Sequence, residues 1–207
     1  WSHIRPIGED IVQEEMLFPQ GHKIRPVDIG VWLASRNTKV NVMKKPVVTI
    51  IPTGNELVSY KEEAPVGKLI EFNGTVMSNY VIEWGGEPVL RPVVKDEPEK
   101  IKAELLSAVE MSDIVVINAG SSAGSKDYTV FLIEELGEVY THGVAARPGK
   151  PVILGKINDT VVVGIPGYPV SAYLSLEWFV RPLICEYLNI PEPKRNTLQV
   201  KLGRRIV

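Results

Sequence analysis

An α/β fold is predicted for residues 46–190, with helices on both faces of a mostly parallel sheet in a three-layer α/β/α arrangement. Three observations predict it. Apolar, β-branched runs alternate there with segments of helical period. The first of these runs, Val47-Val48-Thr49-Ile50-Ile51, is continuous, as expected of a strand covered on both faces. Three loops of small residues also fall where a strand gives way to a helix. They read Pro52-Thr53-Gly54-Asn55-Glu56, Asn118-Ala119-Gly120-Ser121-Ser122-Ala123-Gly124-Ser125-Lys126-Asp127 and Gly164-Ile165-Pro166-Gly167-Tyr168-Pro169. In an open parallel sheet such loops share one edge, at the carboxyl ends of the strands. Exposed backbone N–H groups and helix N-termini there favour anions, so a phosphate-bearing ligand is expected.

Residues 1–45 have a different texture. His3 to Val12 reads as a short extended piece with turns at Pro6 and Gly8, and Pro19-Gln20-Gly21-His22 as another turn. Pro26 stands near the first position of a predicted helix in which Ile29, Trp32 and Leu33 recur at helical spacing, ending near Asn37. Residues 39–43 read as a strand. The region is too fragmented to own a core and is expected to pack on something else.

Within the main unit, 47–51 is a predicted strand and 73–84 a helix stopped at Gly85-Gly86. Residues 88–94 form the next strand, and 97–110 a helix with Pro98 as an early residue. A strand over 113–118, a helix over 128–136 closed by Gly137 and a short edge strand over 139–142 follow. Residues 151–154 and 160–163 flank Asn158-Asp159, a hairpin signal. The last helix, 170–188, is expected to be disturbed at Pro182, which lacks a backbone donor. Residues 191–207 alternate at Leu198, Val200 and Leu202, as the opening strand of a further β domain would.

Composition excludes several classes. A length of 207 residues suits one large domain with attached segments, and 44% hydrophobic with 23% charged residues is ordinary for a globular protein. A formal net charge of −2 argues against bulk nucleic-acid binding. Cys185 lies in an apolar run and reads as a buried small hydrophobe, and one thiol makes neither a disulfide framework nor a cysteine-rich metal site. No stretch approaches a membrane span, so no membrane partner and a cytoplasmic location are expected. Trp1 is no natural initiator, so the chain reads as an excised piece. His3, His22 and His142 lack zinc-ligand spacing. There is no P-loop and no Rossmann glycine fingerprint, which argues against Walker-type hydrolysis and dinucleotide hydride transfer.

The candidate site residues lie in the three loops and one cationic turn. In the central loop, Gly120, Ser121, Ser122, Gly124 and Ser125 allow close backbone approach and offer hydroxyl donors, while Lys126 adds a flexible positive charge. Asp127 is either the N-cap of the following helix or a carboxylate holding Mg²⁺ beside a phosphate, and one residue can do both. In the first loop, Thr53 and Gly54 precede Glu56, and Thr53-x-x-Glu56 also fits a capping box. Asp96 reads as a helix N-cap ahead of Pro98 or as another acid at the same edge. Glu56, Asp96 and Asp127 together would attract Mg²⁺ or supply a general base. Arg147-Pro148-Gly149-Lys150-Pro151 is either a solvated surface turn or a seat for phosphate or a small oxyanion. In the third loop, Gly164, Gly167 and Ser171 bring donors close and Pro166 and Pro169 stiffen the chain. Tyr168 is either a packing residue or a stacking surface for a flat heterocycle.

Together these stretches resemble the molybdopterin molybdenumtransferase family, which includes the gephyrin E domain. The resemblance is carried by Pro52-Thr53-Gly54-Asn55-Glu56-Leu57, by Ala119-Gly120-Ser121-Ser122-Ala123-Gly124-Ser125-Lys126-Asp127-Tyr128-Thr129, by Arg147-Pro148-Gly149-Lys150-Pro151 and by Gly164-Ile165-Pro166-Gly167-Tyr168-Pro169-Val170-Ser171-Ala172. It covers nearly the whole chain, with 1–45 leading in from an elongated N-terminal region and 191–207 opening a C-terminal β domain. The resemblance implies insertion of molybdate into adenylated molybdopterin with release of AMP. It implies Mg²⁺ held by Asp127 and Glu56, with Asp96 as a further acid of the catalytic group. Arg147 and Lys150 would face molybdate or phosphate, and Ser121, Ser122, Gly124 and Ser171 would line the pterin and phosphate pocket. A homodimer and a handover from an adenylyltransferase are implied too.

Three positions depart from the family pattern. Asn55 stands where the family usually has Asp, Tyr168 where it usually has Asn, and Gly143 where it has a lysine. The family also completes each active site with an inserted domain, so this chain alone is expected to bind pterin and to catalyse poorly. Two rival readings are a molybdopterin adenylyltransferase, which shares the fold, and a pterin-binding or scaffold module without catalysis.

Overall fold

The computed structural model describes residues 2–119, 128–194, 196–201 and 203–204. Its centre is a six-stranded sheet built from β1 (Val47–Thr53), β4 (Glu87–Leu90), β5 (Ile114–Ala119), β6 (Glu138–His142), β7 (Ile153–Ile157) and β8 (Thr160–Pro166) in the order β4-β1-β5-β8-β7-β6. The four strands β4, β1, β5 and β8 run parallel. β7 is antiparallel to β8 and β6 is antiparallel to β7. A separate pair, β2 (Leu57–Val58) and β3 (Leu69–Ile70), is parallel and was not foreseen.

Side chains of successive strand residues point to opposite faces, and both faces are covered. On one face Val48, Ile50, Ile114, Val116, Val163 and Ile165 meet α2 (Asn73–Trp84) through Met77, Val81 and Trp84. They also meet the C-terminal helical run through Ala172, Leu176, Val180 and Ile184. On the other face Ile51, Val115, Ile117 and Val162 meet α3 (Pro98–Val109) and α4 (Tyr128–Leu136) through Ile101, Leu105, Val130 and Ile133. The unbroken apolar strands follow from this double burial, and each fully buried Ile or Leu contributes about 1.5–3 kcal/mol. The three-layer α/β/α architecture is therefore as the sequence predicts.

Boundaries differ where local chemistry intervenes. Residues 39–43 form no strand, because no neighbouring strand offers them a ladder. The 88–94 strand stops at Leu90: after the Arg91 N–H reaches the Ile50 carbonyl, the next bond to β1 comes only from the Val94 N–H on Pro52, one residue out of step, and Val94 rejoins Thr53 only as an isolated bridge. Described residues 196–201 form no strand, and Leu198 and Val200 are exposed. The disturbance expected at Pro182 is present as a π-helical stretch, Leu176–Val180, between α5 (Pro169–Ser175) and α6 (Arg181–Tyr187). There the Arg181 N–H reaches back five residues to the Leu176 carbonyl.

Ahead of the sheet lies α1 (Pro26–Ala34). Its first turn is tied by Asp28, a buried carboxylate that accepts from the Arg25 N–H at 2.8 Å, the Arg25 guanidinium at 2.9 Å and His22 Nε2 at 2.7 Å. No helix among the described residues is long and apolar enough to cross a membrane.

Candidate functional site

From β1 the chain passes through α2 to β4 on one side and then through α3 to β5 on the other, so the strand order reverses between β1 and β5. The crevice outside the carboxyl ends of such strands is where open α/β sheets bind ligands. β1 ends at Thr53, which is buried, and the loop beyond it is bracketed by the segment after β4. The Gly54 N–H donates to the Val94 carbonyl at 3.0 Å and the Val94 N–H to Pro52 at 2.8 Å. Asn55 and Asp96 bond reciprocally: the Asn55 N–H donates to the Asp96 carboxylate at 3.2 Å, and the Asp96 N–H to Asn55 Oδ1 at 3.3 Å. Lys68 Nζ donates to the Asn55 carbonyl at 2.6 Å.

Two expectations are corrected here. Thr53-x-x-Glu56 caps no helix, because the Leu69 N–H takes up the Glu56 carbonyl at 2.9 Å and draws the chain into β2. Asp96 does not cap α3 either. Glu97 stands at that N-cap, and the Asp96 carboxylate turns to the first loop instead. Burial pushes the Asp96 carboxyl above its ordinary value, the Asn55 N–H pulls it back, and the nearby Glu56 charge adds to the rise. Glu56 and Asp96 are thus neighbours. Asp127, the third acid, lies outside the described residues, as do Gly120, Ser121, Ser122, Gly124, Ser125 and Lys126. Among the described residues no three His, Cys, Asp or Glu side chains gather closely enough to hold a metal.

Beside this bracket opens a cleft of about 420 Å³, walled by Glu56, Leu57, Leu69, Ile70, Glu71, Phe72, Asn73, Asn118, Gly167, Tyr168 and Pro169. Its floor is an amide network. Asn118, buried at the end of β5, donates to the Pro166 carbonyl at 3.1 Å and accepts from Asn73 Nδ2 at 3.2 Å. Asn73 Nδ2 also donates to the Gly167 carbonyl at 2.7 Å. These bonds fix the third loop to β5 and to the start of α2. Glu71 is 7% exposed and accepts from the Gly74 N–H at 2.7 Å, closing the first turn of α2. Burial raises its carboxyl, while the Gly74 and Asn73 N–H groups lower it.

A second cleft, of about 710 Å³, is walled by His142, Gly143, Arg147, Pro148, Gly149, Lys150, Pro151, Tyr168 and Ser171. It lies at the same sheet edge because β7 runs against β8: Ile153, the first residue of β7, stands opposite Gly164 near the end of β8. The loop closes through the Gly143 N–H on the Val152 carbonyl at 2.7 Å and the Val144 N–H on Lys150 at 2.8 Å. Gly149 is buried at a positive φ of 102°, and a Cβ there would sit 3.4 Å from the Trp178 ring. Arg147 and Lys150 are exposed, and no carboxylate among the described residues pairs with either.

Tyr168 lines both clefts and is 73% exposed, so it is not a packing residue. Of the predicted site residues, Glu56, Gly167 and Tyr168 line the acidic cleft, with Asp96 behind Asn55. Arg147, Lys150, Tyr168 and Ser171 line the cationic cleft. Thr53 and Pro166 are buried beneath the loops and act as supports. Sequence reasoning missed Glu71, Asn73 and Asn118. The signal was a polar residue ending an apolar strand, and an acid placed just before a helix that has no Ser, Thr or Asp cap.

Residues 49–186 match the family described as "Probable molybdopterin binding domain". The chain is 30% identical to a molybdopterin molybdenumtransferase of Bacillus subtilis, over 90% of this chain and 44% of that protein. It is 31% identical to the molybdenum cofactor synthesis protein cinnamon of Drosophila melanogaster, over 87% of this chain and 30% of that protein. The crystal structure of a molybdopterin biosynthesis MoeA protein from Pyrococcus horikoshii superposes with a TM-score of 0.82 at 37% identity, covering 88% of this chain and 45% of that one. The chain thus spans about half the length, or less, of these relatives.

Proposed function

This chain belongs to the molybdopterin-binding domain family, and from that premise we propose that it binds adenylated molybdopterin and, within its whole protein, inserts molybdate into it with release of AMP. The observation that carries the reading is the pair of clefts of opposite charge on either side of Tyr168, Glu56 and Glu71 on one side and Arg147 and Lys150 on the other. A molecule with a donor-rich flat ring at one end and a phosphate or oxyanion at the other is complementary to that pair.

In this reading the rigid strand ends hold the loops still, so that the ligand is oriented rather than merely captured. Arg147 grips an oxyanion through two N–H groups and Lys150 contributes a point charge, which suits molybdate or the ligand phosphate. Ser171 offers a hydroxyl at the start of α5. The neighbouring carboxylates Glu56 and Asp96 fit Mg²⁺, which takes one or two carboxylates and leaves its other positions to phosphate oxygens. Asp127 is the further ligand expected from the family. When bound, that ion would neutralise charge on the departing AMP phosphate. A homodimer, a cytoplasmic location and supply of the adenylated substrate by an adenylyltransferase are parts of the same proposal.

Equilibrium binding of molybdopterin and of phosphate-free pterin, compared between the native chain and Arg147→Ala/Lys150→Ala, tests the reading. The double variant is expected to lose molybdopterin affinity by about 10-fold or more and to keep its pterin affinity. Unchanged molybdopterin binding would sink the assignment of the cationic cleft. An AMP adduct formed from molybdopterin and Mg·ATP would show the adenylyltransferase instead.

A further inference from the structure

The acidic cleft is unusual in what its polar groups have left to offer. Both N–H donors of Asn73 are engaged by protein oxygens, and Asn118 Nδ2 donates to the end of β8. The acidic side chains on the wall are two carboxylates, Glu56 and Glu71, which only accept when ionised. Glu71 is the more buried, at 7% exposure, and it is held in place by the Gly74 N–H at 2.7 Å. The backbone N–H of Asn73 also bonds this carboxylate, and since a carboxylate has about four acceptor positions, two such bonds leave acceptor capacity for a ligand at a wall residue of the cleft. Leu57, Ile70 and Phe72 flank it on the same wall, and Tyr168 stands at the mouth. A flat heterocycle entering between these groups meets apolar and aromatic faces on its sides and a fixed carboxylate at its edge.

We propose that Glu71 is the specificity-determining residue of this cleft, its carboxylate pairing with the adjacent N–H donors of a 2-aminopyrimidin-4-one ring. The inference rests on the pterin-binding reading above and adds which end of the ligand enters which cleft. The 2-amino group and the ring N3–H are neighbouring donors, and two carboxylate oxygens match them in parallel. Burial disfavours the charged carboxyl, and donors arriving from the ligand replace the lost hydration. The phosphate end then lies between Glu56, where Mg²⁺ would be held, and the Tyr168 side that carries Arg147 and Lys150. A ring bearing a 2-oxo group would place an acceptor against the carboxylate and be rejected.

Fluorescence titrations of the native chain and of Glu71→Gln with pterin and with lumazine, its 2-oxo counterpart, test this, with molybdopterin as a third ligand. The glutamine oxygen still accepts from the Gly74 N–H, so α2 keeps its closure, and thermal melting checks this. The native chain is expected to prefer pterin over lumazine by about 10-fold or more, and Glu71→Gln to bring the two within about 3-fold. Equal binding of pterin and lumazine by the native chain overturns the inference without any variant. So does an undiminished preference in Glu71→Gln, or binding of molybdopterin without pterin, and each leaves the proposed function standing. Binding of neither pterin nor molybdopterin by the native chain overturns both.

Discussion

A Cβ on Gly137 would lie 2.0 Å from the Lys156 carbonyl oxygen, which is backbone and cannot swing aside. Gly137→Ala should therefore destabilise the chain by about 2–3 kcal/mol in chemical denaturation. Gly30, inside α1, has nothing within 4 Å of its would-be Cβ, and Gly30→Ala should instead stabilise by about 0.5–1 kcal/mol. A denaturation series in which the two behave alike would contradict the packing described for Gly137. Residue by residue, the site was legible where chemistry is written in charge or in small loops: Glu56, Arg147, Lys150 and Tyr168 all line a cleft. It was illegible where a polar side chain serves another loop. Asn118 looks like the end of a strand, and its contacts with Pro166 and Asn73 join residues distant along the chain. Asp96 misled for the same reason, since its partner Asn55 is 41 positions away.

Among the elements, α1 is held less by an apolar face than by Asp28, and that has a pH signature. The Arg25 guanidinium bond lowers the Asp28 carboxyl well below its ordinary value of 3.8; burial opposes this, and His22 and the Arg25 N–H add to the lowering. A carboxyl lowered on folding contributes stability above its unfolded pKa, and that contribution disappears as pH falls through and below it. Amide protection factors across residues 25–37, taken relative to the intrinsic exchange rate at each pH, should thus fall between about pH 5 and pH 3 in the native chain and change little in Asp28→Asn. Equal acid sensitivity in both would show that Asp28 does not anchor the helix. Long elements were legible because period and punctuation agree: α2 ends at Gly85, in the left-handed region at φ 97°. The pair β2 and β3, at two residues each, is too short to carry a period, and its bonds depend on the folded first loop. The 39–43 run has strand composition and no partner, which composition alone cannot reveal.

At the scale of the molecule, the core lies wholly within the sheet and its two helical layers. Described residues beyond Lys194 bury nothing large, with Leu198 and Val200 at 88% and 80% exposure. A chain ending at Lys194 should melt within about 2 °C of the native one, and a larger loss would reveal a contact those residues make. The architecture was legible because every layer repeats one message, whereas the union of two oppositely charged clefts depends on a single reversal of strand direction at β7. That reversal also sets an order of events. β7 and β8 meet across a turn between Ile157 and Thr160, and such hairpins close in about 1–10 μs. β1 and β5 must bring together residues 66 apart, as Val47 and Asp113 are. The frame of the cationic arm is thus available early and from nearby chain, while the acidic cleft comes into being only when remote segments collide.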